Sequence, residues 1–293
     1  SPGEIVEARI DSAMVHDLTG PMTVQSWRKL DETKIRDPDR LVVIFDHLVP
    51  PPTEQAASAQ QTMRDFVKEQ GIKNFYDIGR GGICHQVMPE KGHVHPGDVI
   101  VGADSHTCTY GAFGAFSTGI GSTEMAAVLA TGRLWFKVPT TIKIRVHGGF
   151  APYVASKDLI LHVLGKLRVS GANYRGVEFT GPTIQEMSIP GRMTLCNMSI
   201  EAGAKAGIVA FDRKTVEYLS GRGPGSFQAL RSDEDAKYER TIDVEASTLS
   251  PQIARPHSPD NVGAVEELAE TRVDQAFLGS CTNGRTEDLR IAA

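Results

Sequence analysis

The stretch VIVGADSHT, residues 99–107, is a short apolar run that ends in polar, titratable side chains. Residues 99–103 have the length and the branched composition of a buried β-strand. Three further apolar runs also end in reactive side chains: 10–15 before His16 and Asp17, 41–45 before Asp46 and His47, and 273–278 before Cys281 and Asn283. Because reactive groups collect where the strands of an α/β sheet end, the four runs predict one shared site at an edge of the sheet.

Patterns typical of helices lie between several of these strands, at 54–70, 122–133 and 156–167. Two further strands and two loops or linkers are also expected, the strands at 141–146 and 207–211 and the loops at 220–235 and 248–260. The alternation of strands and helices favours the α/β class, in which helices cover largely parallel, buried sheets.

Composition narrows the function classes. The 293 residues carry 31 basic and 36 acidic side chains, and the net charge of −5 argues against a general nucleic-acid binder. The sequence has no run of about 20 apolar residues, and its first residues lack the pattern of a secretion signal, so a cytoplasmic protein is expected. The four cysteines, at 84, 108, 196 and 281, include no CxxC pair. Their spacing therefore fits neither a disulfide framework nor a zinc ribbon.

The dipeptide Asp46-His47 has two interpretations. It is either a capping aspartate beside a surface histidine, or a carboxylate that raises the pKa of an imidazole toward that of a useful general acid. Neighbouring side chains on an extended backbone point in opposite directions, which leaves open that Asp46 serves a histidine other than His47.

Glycines at 111, 114, 119 and 121 follow the segment 104–107. The segment 119–124 begins Gly-x-Gly but ends in Glu and lies well past the strand, so a dinucleotide-binding loop is not favoured. The remaining interpretations are a tight packing crossover and a path of backbone that approaches a bulky group closely. A helix capped near Ser122 or Thr123 is expected to follow.

Four histidines, at 85, 93, 95 and 106, invite a zinc hypothesis. Zinc sites usually show helical i,i+4 pairs or close Cys/His pairs, whereas His93 and His95 lie at a Pro96-Gly97 turn. Asn197 and Glu201 lie four residues apart in a predicted helix at 192–201. Such a polar pair either faces solvent or forms a stripe that faces a cavity or a partner. Cys281 is either an inert thiol or one activated ahead of a predicted helix start at 288–293.

Taken together, these segments resemble the aconitase superfamily, and within it the large subunits of the 3-isopropylmalate dehydratase and homoaconitase type. Eight blocks carry the resemblance in chain order: Val15-His16-Asp17, Phe45-Asp46-His47, Cys84-His85-Gln86, Pro89-Glu90-Lys91-Gly92-His93, Gly102-Ala103-Asp104-Ser105-His106-Thr107, Gly119-Ile120-Gly121-Ser122, Cys196-Asn197-Met198 with Glu201, and Gly279-Ser280-Cys281-Thr282-Asn283-Gly284-Arg285. The resemblance implies aconitase-like α/β/α domains and a hydro-lyase that moves a hydroxyl group between adjacent carbons.

The resemblance also implies residue roles. Asp46 and His47 form the acid side, and His47 protonates the departing hydroxyl. Two pairs, His85 with Asp104 and His106 with Glu201, orient and tune an iron-bound water. The substrate or cluster pocket is lined by His16, Ser105, Asn197, Asn283 and Arg285. The catalytic base of the family is a serine on a swivelling domain, which isopropylmalate-type enzymes carry on a separate small subunit.

A 4Fe-4S cluster held by three cysteines is implied as the cofactor, with Cys281 as its first ligand. The family carries the other two ligands in a CxxC segment that these residues lack, so the chain is expected to be truncated and inactive by itself. The approximate domains are 1–135, 136–270 and, as the start of the cluster-binding segment, 271–293.

The substrate implied by the resemblance is a hydroxy di- or tricarboxylate. Gly284-Arg285 is more typical of isopropylmalate and homoaconitate enzymes than of aconitase itself, so 3-isopropylmalate, an intermediate of leucine biosynthesis, is expected first. Homoaconitase and a dimethylmalate-type dehydratase are the alternatives. A hypothesis of another class is an inactive fragment that only binds the small subunit.

Overall fold

A computed structural model describes residues 1–30, 32–223 and 230–293. The chain divides into two compact units. The first contains Ser1–Thr107, Ala115–Val138 and a short segment that begins at Leu219, and the second contains Cys108–Gly114, Pro139–Tyr218 and the described residues from 230 onward. No helix in these ranges is long and apolar enough to cross a membrane.

The first unit is built on a parallel five-stranded sheet in the order β4-β3-β2-β5-β6. Its strands are β2 (Ser12–His16), β3 (Leu41–Ile44), β4 (Asn74–Tyr76), β5 (Val99–Gly102) and β6 (Phe116–Gly119). Every residue of β2 and β3 is buried, as expected of strands covered on both faces. An antiparallel ribbon of β1 (Ile5–Arg9) and β7 (Arg133–Lys137) belongs to the same unit.

The helices of the first unit are α1 (Gly20–Trp27), α2 (Glu54–Gln70), α3 (Cys84–Glu90) and α4 (Ser122–Thr131). Helix α2 begins where the Thr53 hydroxyl accepts a hydrogen bond from the amide of Ala56, and it ends at Gly71 in the left-handed region. The predicted helix at 122–133 is two residues too long, because Gly132 adopts a left-handed φ of 70° that terminates α4. Its N-cap is Gly121 rather than Ser122 or Thr123.

The second unit has a parallel four-stranded sheet in the order β10-β9-β8-β11. Its strands are β8 (Thr141–His147), β9 (Gly176–Thr180), β10 (Ala206–Val209) and β11 (Arg240–Glu245), and β12 (Gln252–Ala254) pairs with β13 (Val262–Ala264). Its helices are α5 (Ser156–Leu167), α6 (Pro182–Glu186), α7 (Ile189–Asn197), α8 (Arg213–Leu219) and α9 (Thr286–Ala292). The parallel sheets and intervening helices confirm the α/β class.

Three local predictions are wrong. Residues 273–278 form no strand: Val273 is 72% and Phe277 86% exposed, so the run lacks the buried face that its apolar pattern suggests. The predicted loop at 248–260 contains β12. The predicted helix at 192–201 ends as an α-helix at Asn197 and continues as a 3-10 turn over Met198–Ala202. The predicted loop at 220–235 lies partly outside the described residues.

Candidate active site

Three of the predicted strand ends meet within the first unit. Strands β3, β2 and β5 are parallel neighbours, so their carboxyl ends lie at the same edge of the sheet. His16 is the last residue of β2, Asp46 and His47 follow β3, and Asp104 follows β5. The fourth predicted end, the loop with Cys281, belongs to the second unit.

Asp104 is the centre of this cluster. Its Oδ1 lies 3.1 Å from Nε2 of His85 and accepts a hydrogen bond of 2.7 Å from the backbone amide of His106. Its Oδ2 lies 3.3 Å from Nε2 of His16 and 3.3 Å from Nε2 of His47. Only 8% of its side chain is exposed. One buried carboxylate therefore positions several imidazoles.

The electrostatics follow from this geometry. Burial by itself raises the pKa of Asp104, but the hydrogen bonds from His16, His47 and His85 outweigh burial, and the pKa falls well below its ordinary value. His85 is fully buried, and the cost of burying a charged ring lowers the pKa of this histidine despite Asp104. We therefore assign a charged carboxylate beside a neutral His85.

His47 lies between two carboxylates. Its Nδ1 lies 2.7 Å from Oδ1 of Asp46, and Nε2 faces Asp104. The hydrogen bond with Asp104, followed by that with Asp46, raises the pKa of His47 to about 10. Its ring stacks on that of His16, with centroids 3.7 Å apart, and 33% of the His47 side chain stays exposed. It is a charged, partly accessible imidazole at neutral pH.

The pairing of Asp46 with its own neighbour settles the question that the sequence left open. Strand β3 ends at Ile44 and the chain bends at His47, so the extended geometry that separates neighbouring side chains does not apply here. Burial raises the pKa of Asp46, but the hydrogen bonds from His47 and from the backbone amide of Cys84 outweigh it and lower the pKa. The amide of Cys84 lies 2.6 Å from Oδ2 of Asp46.

Asp17 supports this loop, a role that sequence reasoning missed. Its carboxylate is fully buried and accepts hydrogen bonds from the backbone amides of Asp46 (3.2 Å), His47 (3.0 Å) and Leu48 (2.8 Å). A fourth bond, of 3.1 Å, comes from the side-chain amide of Gln60, which also donates to the carbonyl of Leu48. The sequence offered no local signal for this role, since the three backbone amides lie 29 to 31 residues from Asp17 in the chain.

Replacing Asp17 with asparagine is expected to lower the free energy of unfolding by about 3 kcal/mol, because an amide loses charge-assisted bonds and aims its own donor at other donors. Urea denaturation measures the change. The matched control is Asp65→Asn on the exposed side of α2, which should change the free energy by less than about 0.5 kcal/mol. Equal values for the two variants would contradict the role of Asp17.

A second group of predicted residues lies within the second unit and surrounds the loop at 279–285. Asn197 is fully buried at the end of α7, and its Nδ2 donates to Oγ1 of Thr109 (2.8 Å) and lies 3.8 Å from Sγ of Cys281. Its Oδ1 accepts from the hydroxyl of Thr282 (2.8 Å). Asn197 thus connects the loop to the body of the unit.

Arg285 fastens the same loop. Its guanidinium donates to the carbonyls of Thr282 (2.8 Å) and Cys281 (3.1 Å). Burial lowers the pKa of Arg285, against the attraction of Asp288. Substrate binding by Arg285 and by Asn283, which is half-buried beside it, stays a prediction.

The remaining predicted residues have mixed outcomes. Ser105 Oγ lies 3.4 Å from Nδ1 of His106 in the first unit. Glu201 is half-buried in the 3-10 turn of the second unit. The pairing of His106 with Glu201 therefore joins residues of different units and stays a prediction.

The zinc hypothesis gains no support. His85 bonds to Asp104, His93 Nε2 to the hydroxyl of Tyr76 (2.7 Å) and His95 Nδ1 to Asp98 (3.0 Å). Among the described residues, the side chains close enough to share a cation form two groups: His16, Asp17, Asp46 and His47, and His47, Cys84 and Asp104. Hydrogen bonds within the first unit account for both groups.

The cysteines differ in what they offer an iron–sulfur cluster. Cys84, Cys108 and Cys196 are buried, and Cys281 alone is partly accessible. Burial raises the pKa of the Cys196 thiol well above its usual range, which disfavours the thiolate that iron requires. Cys281 has an amide donor from Asn197 near its sulfur, a feature of cluster ligands. The residues present thus fit one thiolate corner of a cluster.

The sequence profile of the Aconitase family (aconitate hydratase) matches residues 2–272. The chain belongs to the aconitase family. The resemblance inferred from the eight blocks is confirmed, and membership implies an iron–sulfur cofactor.

Curated relatives refine this placement. The chain is 54% identical over 291 residues to 3-isopropylmalate dehydratase large subunit 1 of Methanopyrus kandleri, a match of 99% of this chain and 69% of the relative. It is 50% identical over 292 residues to the 3-isopropylmalate dehydratase large subunit of Moorella thermoacetica, covering 100% and 69%. It is also 52% identical over 297 residues to the probable methanogen homoaconitase large subunit of Methanothermobacter thermautotrophicus, again 100% and 69%.

Proposed function

We propose that this protein is the large subunit of an aconitase-type hydro-lyase that isomerises 3-isopropylmalate by removing and re-adding water. The observation that carries the proposal is the charged His47, held between Asp46 and Asp104 in a chain that is about half identical to enzymes of this name. A homoaconitate substrate is the second candidate, because a relative at 52% identity is a probable homoaconitase.

Elimination of a hydroxyl group needs an acid for the departing hydroxide and a base for the carbon-bound proton. His47 is protonated at neutral pH and partly accessible, so it can deliver its proton. A pKa of about 10 still lies far below that of water, about 15.7, so transfer to a departing hydroxide is favourable. On rehydration the same ring takes the proton back.

The partners of His47 fix its orientation during this cycle. Asp46 holds Nδ1, and Asp104 faces Nε2, so both ring nitrogens are directed by charged groups. Asp104 also keeps His85 and His106 in place. We assign Asp46, His47, His85, Asp104, His106 and Glu201 to catalysis, and His16, Ser105, Asn197, Asn283 and Arg285 to binding.

Cys281 is the thiol of this chain that would hold one corner of a 4Fe-4S cluster. When bound, such a cluster supplies a Lewis acid that weakens the bond between carbon and the hydroxyl group. Because the other three cysteines are buried, we expect residues 1–293 alone to hold no stable cluster. The base is proposed to come from a small subunit, since the relatives are named large subunits.

The test combines a large subunit that includes the family's CxxC segment with the small subunit, after anaerobic iron–sulfur reconstitution. It follows the absorbance of the alkene intermediate with 3-isopropylmalate and with homocitrate. Turnover of 3-isopropylmalate, and its loss in Cys281→Ser, is expected. Asp65→Asn is the control and should keep parental activity. Turnover of homocitrate alone would select the second candidate. No turnover of either substrate by a preparation with full iron content would overturn the proposal.

A further inference from the structure

A cluster of arginines surrounds a cavity of about 360 Å³ in the first unit. Its basic lining comes from Arg9 and Arg133 on the ribbon β1-β7, and from Arg36 and Arg40. Thr131 and Gly132, at the end of α4, complete the wall, and Asp37 is the acidic residue of the lining. Guanidinium groups bind oxyanions through paired N–H donors.

The strand register concentrates positive charge on this cavity. Arg9 of β1 lies directly opposite Arg133 of β7 in the antiparallel pair. Directly opposed side chains lie about 5 Å apart at their Cβ atoms, and like charges in this position are destabilising. An anion bound beside Arg9 would relieve this repulsion.

Carboxylates neutralise two of the four arginines. Arg40 pairs with Asp37 (2.8 Å) and with Asp11 (3.2 Å), and Arg133 pairs with Glu7 (2.9 Å). In the described part of the chain, neither Arg9 nor Arg36 has a side-chain hydrogen bond or an ion pair. The cavity therefore faces two uncompensated positive charges.

We propose that this cavity binds a small, doubly charged oxyanion, held by Arg9 and Arg36 at the edge of the β1-β7 ribbon. The two uncompensated charges match a divalent anion, and the volume accommodates one of a few heavy atoms together with its water. Inorganic phosphate and a short dicarboxylate share this chemistry. None of the residues assigned to catalysis or to substrate binding lines the cavity.

The test is calorimetric titration of the intact protein at pH 8 with inorganic phosphate and with succinate, at constant ionic strength set by sodium chloride. Binding of at least one anion is expected, and Arg9→Gln and Arg36→Gln should each weaken it by at least about tenfold, because each removes a charge-assisted contact. The exposed Arg231→Gln in the second unit is the control and should bind like the parent. The anion that binds more tightly shows whether the site selects a phosphate or a dicarboxylate.

A substitution that is expected to strengthen anion binding separates an effect on the site from simple unfolding. Asp37→Asn removes a carboxylate from Arg40 and should strengthen anion binding severalfold. If the arginines only stabilise the negative C-terminal end of α4, the double variant Arg9→Gln/Arg36→Gln will lower the melting temperature equally with and without anion. That result, or unchanged anion affinity in the double variant, would overturn the proposal.

Discussion

Asp104→Asn is expected to lower kcat by about a hundredfold to ten-thousandfold, the range associated with loss of a positioned acid–base group. The carboxylate has one oxygen for His85 and the amide of His106, and the other for His16 and His47. An asparagine offers one acceptor and one donor, so it cannot serve both sets of imidazole N–H groups.

A matched substitution tests whether this effect is specific. Asp98 also pairs with a histidine in the first unit, since its Oδ2 lies 3.0 Å from Nδ1 of His95. Asp98→Asn should therefore keep kcat within about threefold of the parent, because its imidazole is outside the cluster. Steady-state kinetics with reconstituted enzyme measures both variants. If Asp104→Asn keeps a tenth or more of the parental kcat, Asp104 does not organise the acid.

The strand ends were predictable from sequence because buried parallel strands leave a strong signal. The runs at 41–45 and 99–103 become β3 and β5 to within one residue, and the polar residues that follow them meet at one sheet edge. Helix α5 matches its predicted bounds of 156–167 for a similar reason. Its amphipathic pattern coincides with clear end signals. The helix begins where the side chain of Asp158 accepts a hydrogen bond from the amide of Ala155, and it ends at Arg168, which adopts a φ of 67°.

Features that depend on tertiary partners were not predictable. An apolar run becomes a strand only beside another strand, and residues 273–278 form no such pairing within the described residues. The 3-10 helix over Ser105–Phe113 has no periodic signal that separates it from a loop. The role of Asp17 depends on a loop 29 to 31 residues away in the chain, so local pattern does not reveal it.

The charge of His47 was only partly predictable. The neighbouring Asp46 suggested a raised pKa, but the second carboxylate, Asp104, comes from a different strand. Hydrogen bonding to that second carboxylate is the larger of the two effects. Dipeptide reasoning therefore gives the direction of the pKa shift, and the parallel arrangement of β3 and β5 beside β2 gives its size.

His47→Gln is expected to lower kcat by about a hundredfold to ten-thousandfold and to change how stability depends on pH. Because the pKa of His47 is raised from 6.5 to about 10 in the folded protein, its ion pairs stabilise the fold fully below pH 6.5. That stabilisation is lost as the pH rises through about 10. Asp46 and Asp104, whose pKa values are lowered, affect stability in acid instead. Their stabilisation of the fold is present above pH 3.8 and is lost as the pH falls.

Urea denaturation of the parent and of His47→Gln at intervals between pH 6.5 and 10 isolates this contribution. The free energy of unfolding of the parent should fall relative to that of the variant, with a slope below about 1.4 kcal/mol per pH unit, because one proton is involved and solvent screens the partly exposed ring. Groups that titrate in both proteins, such as Lys157, cancel in the difference. Parallel curves over this range would mean that His47 is not held as a cation, and the acid for the departing hydroxide would then have to be another group.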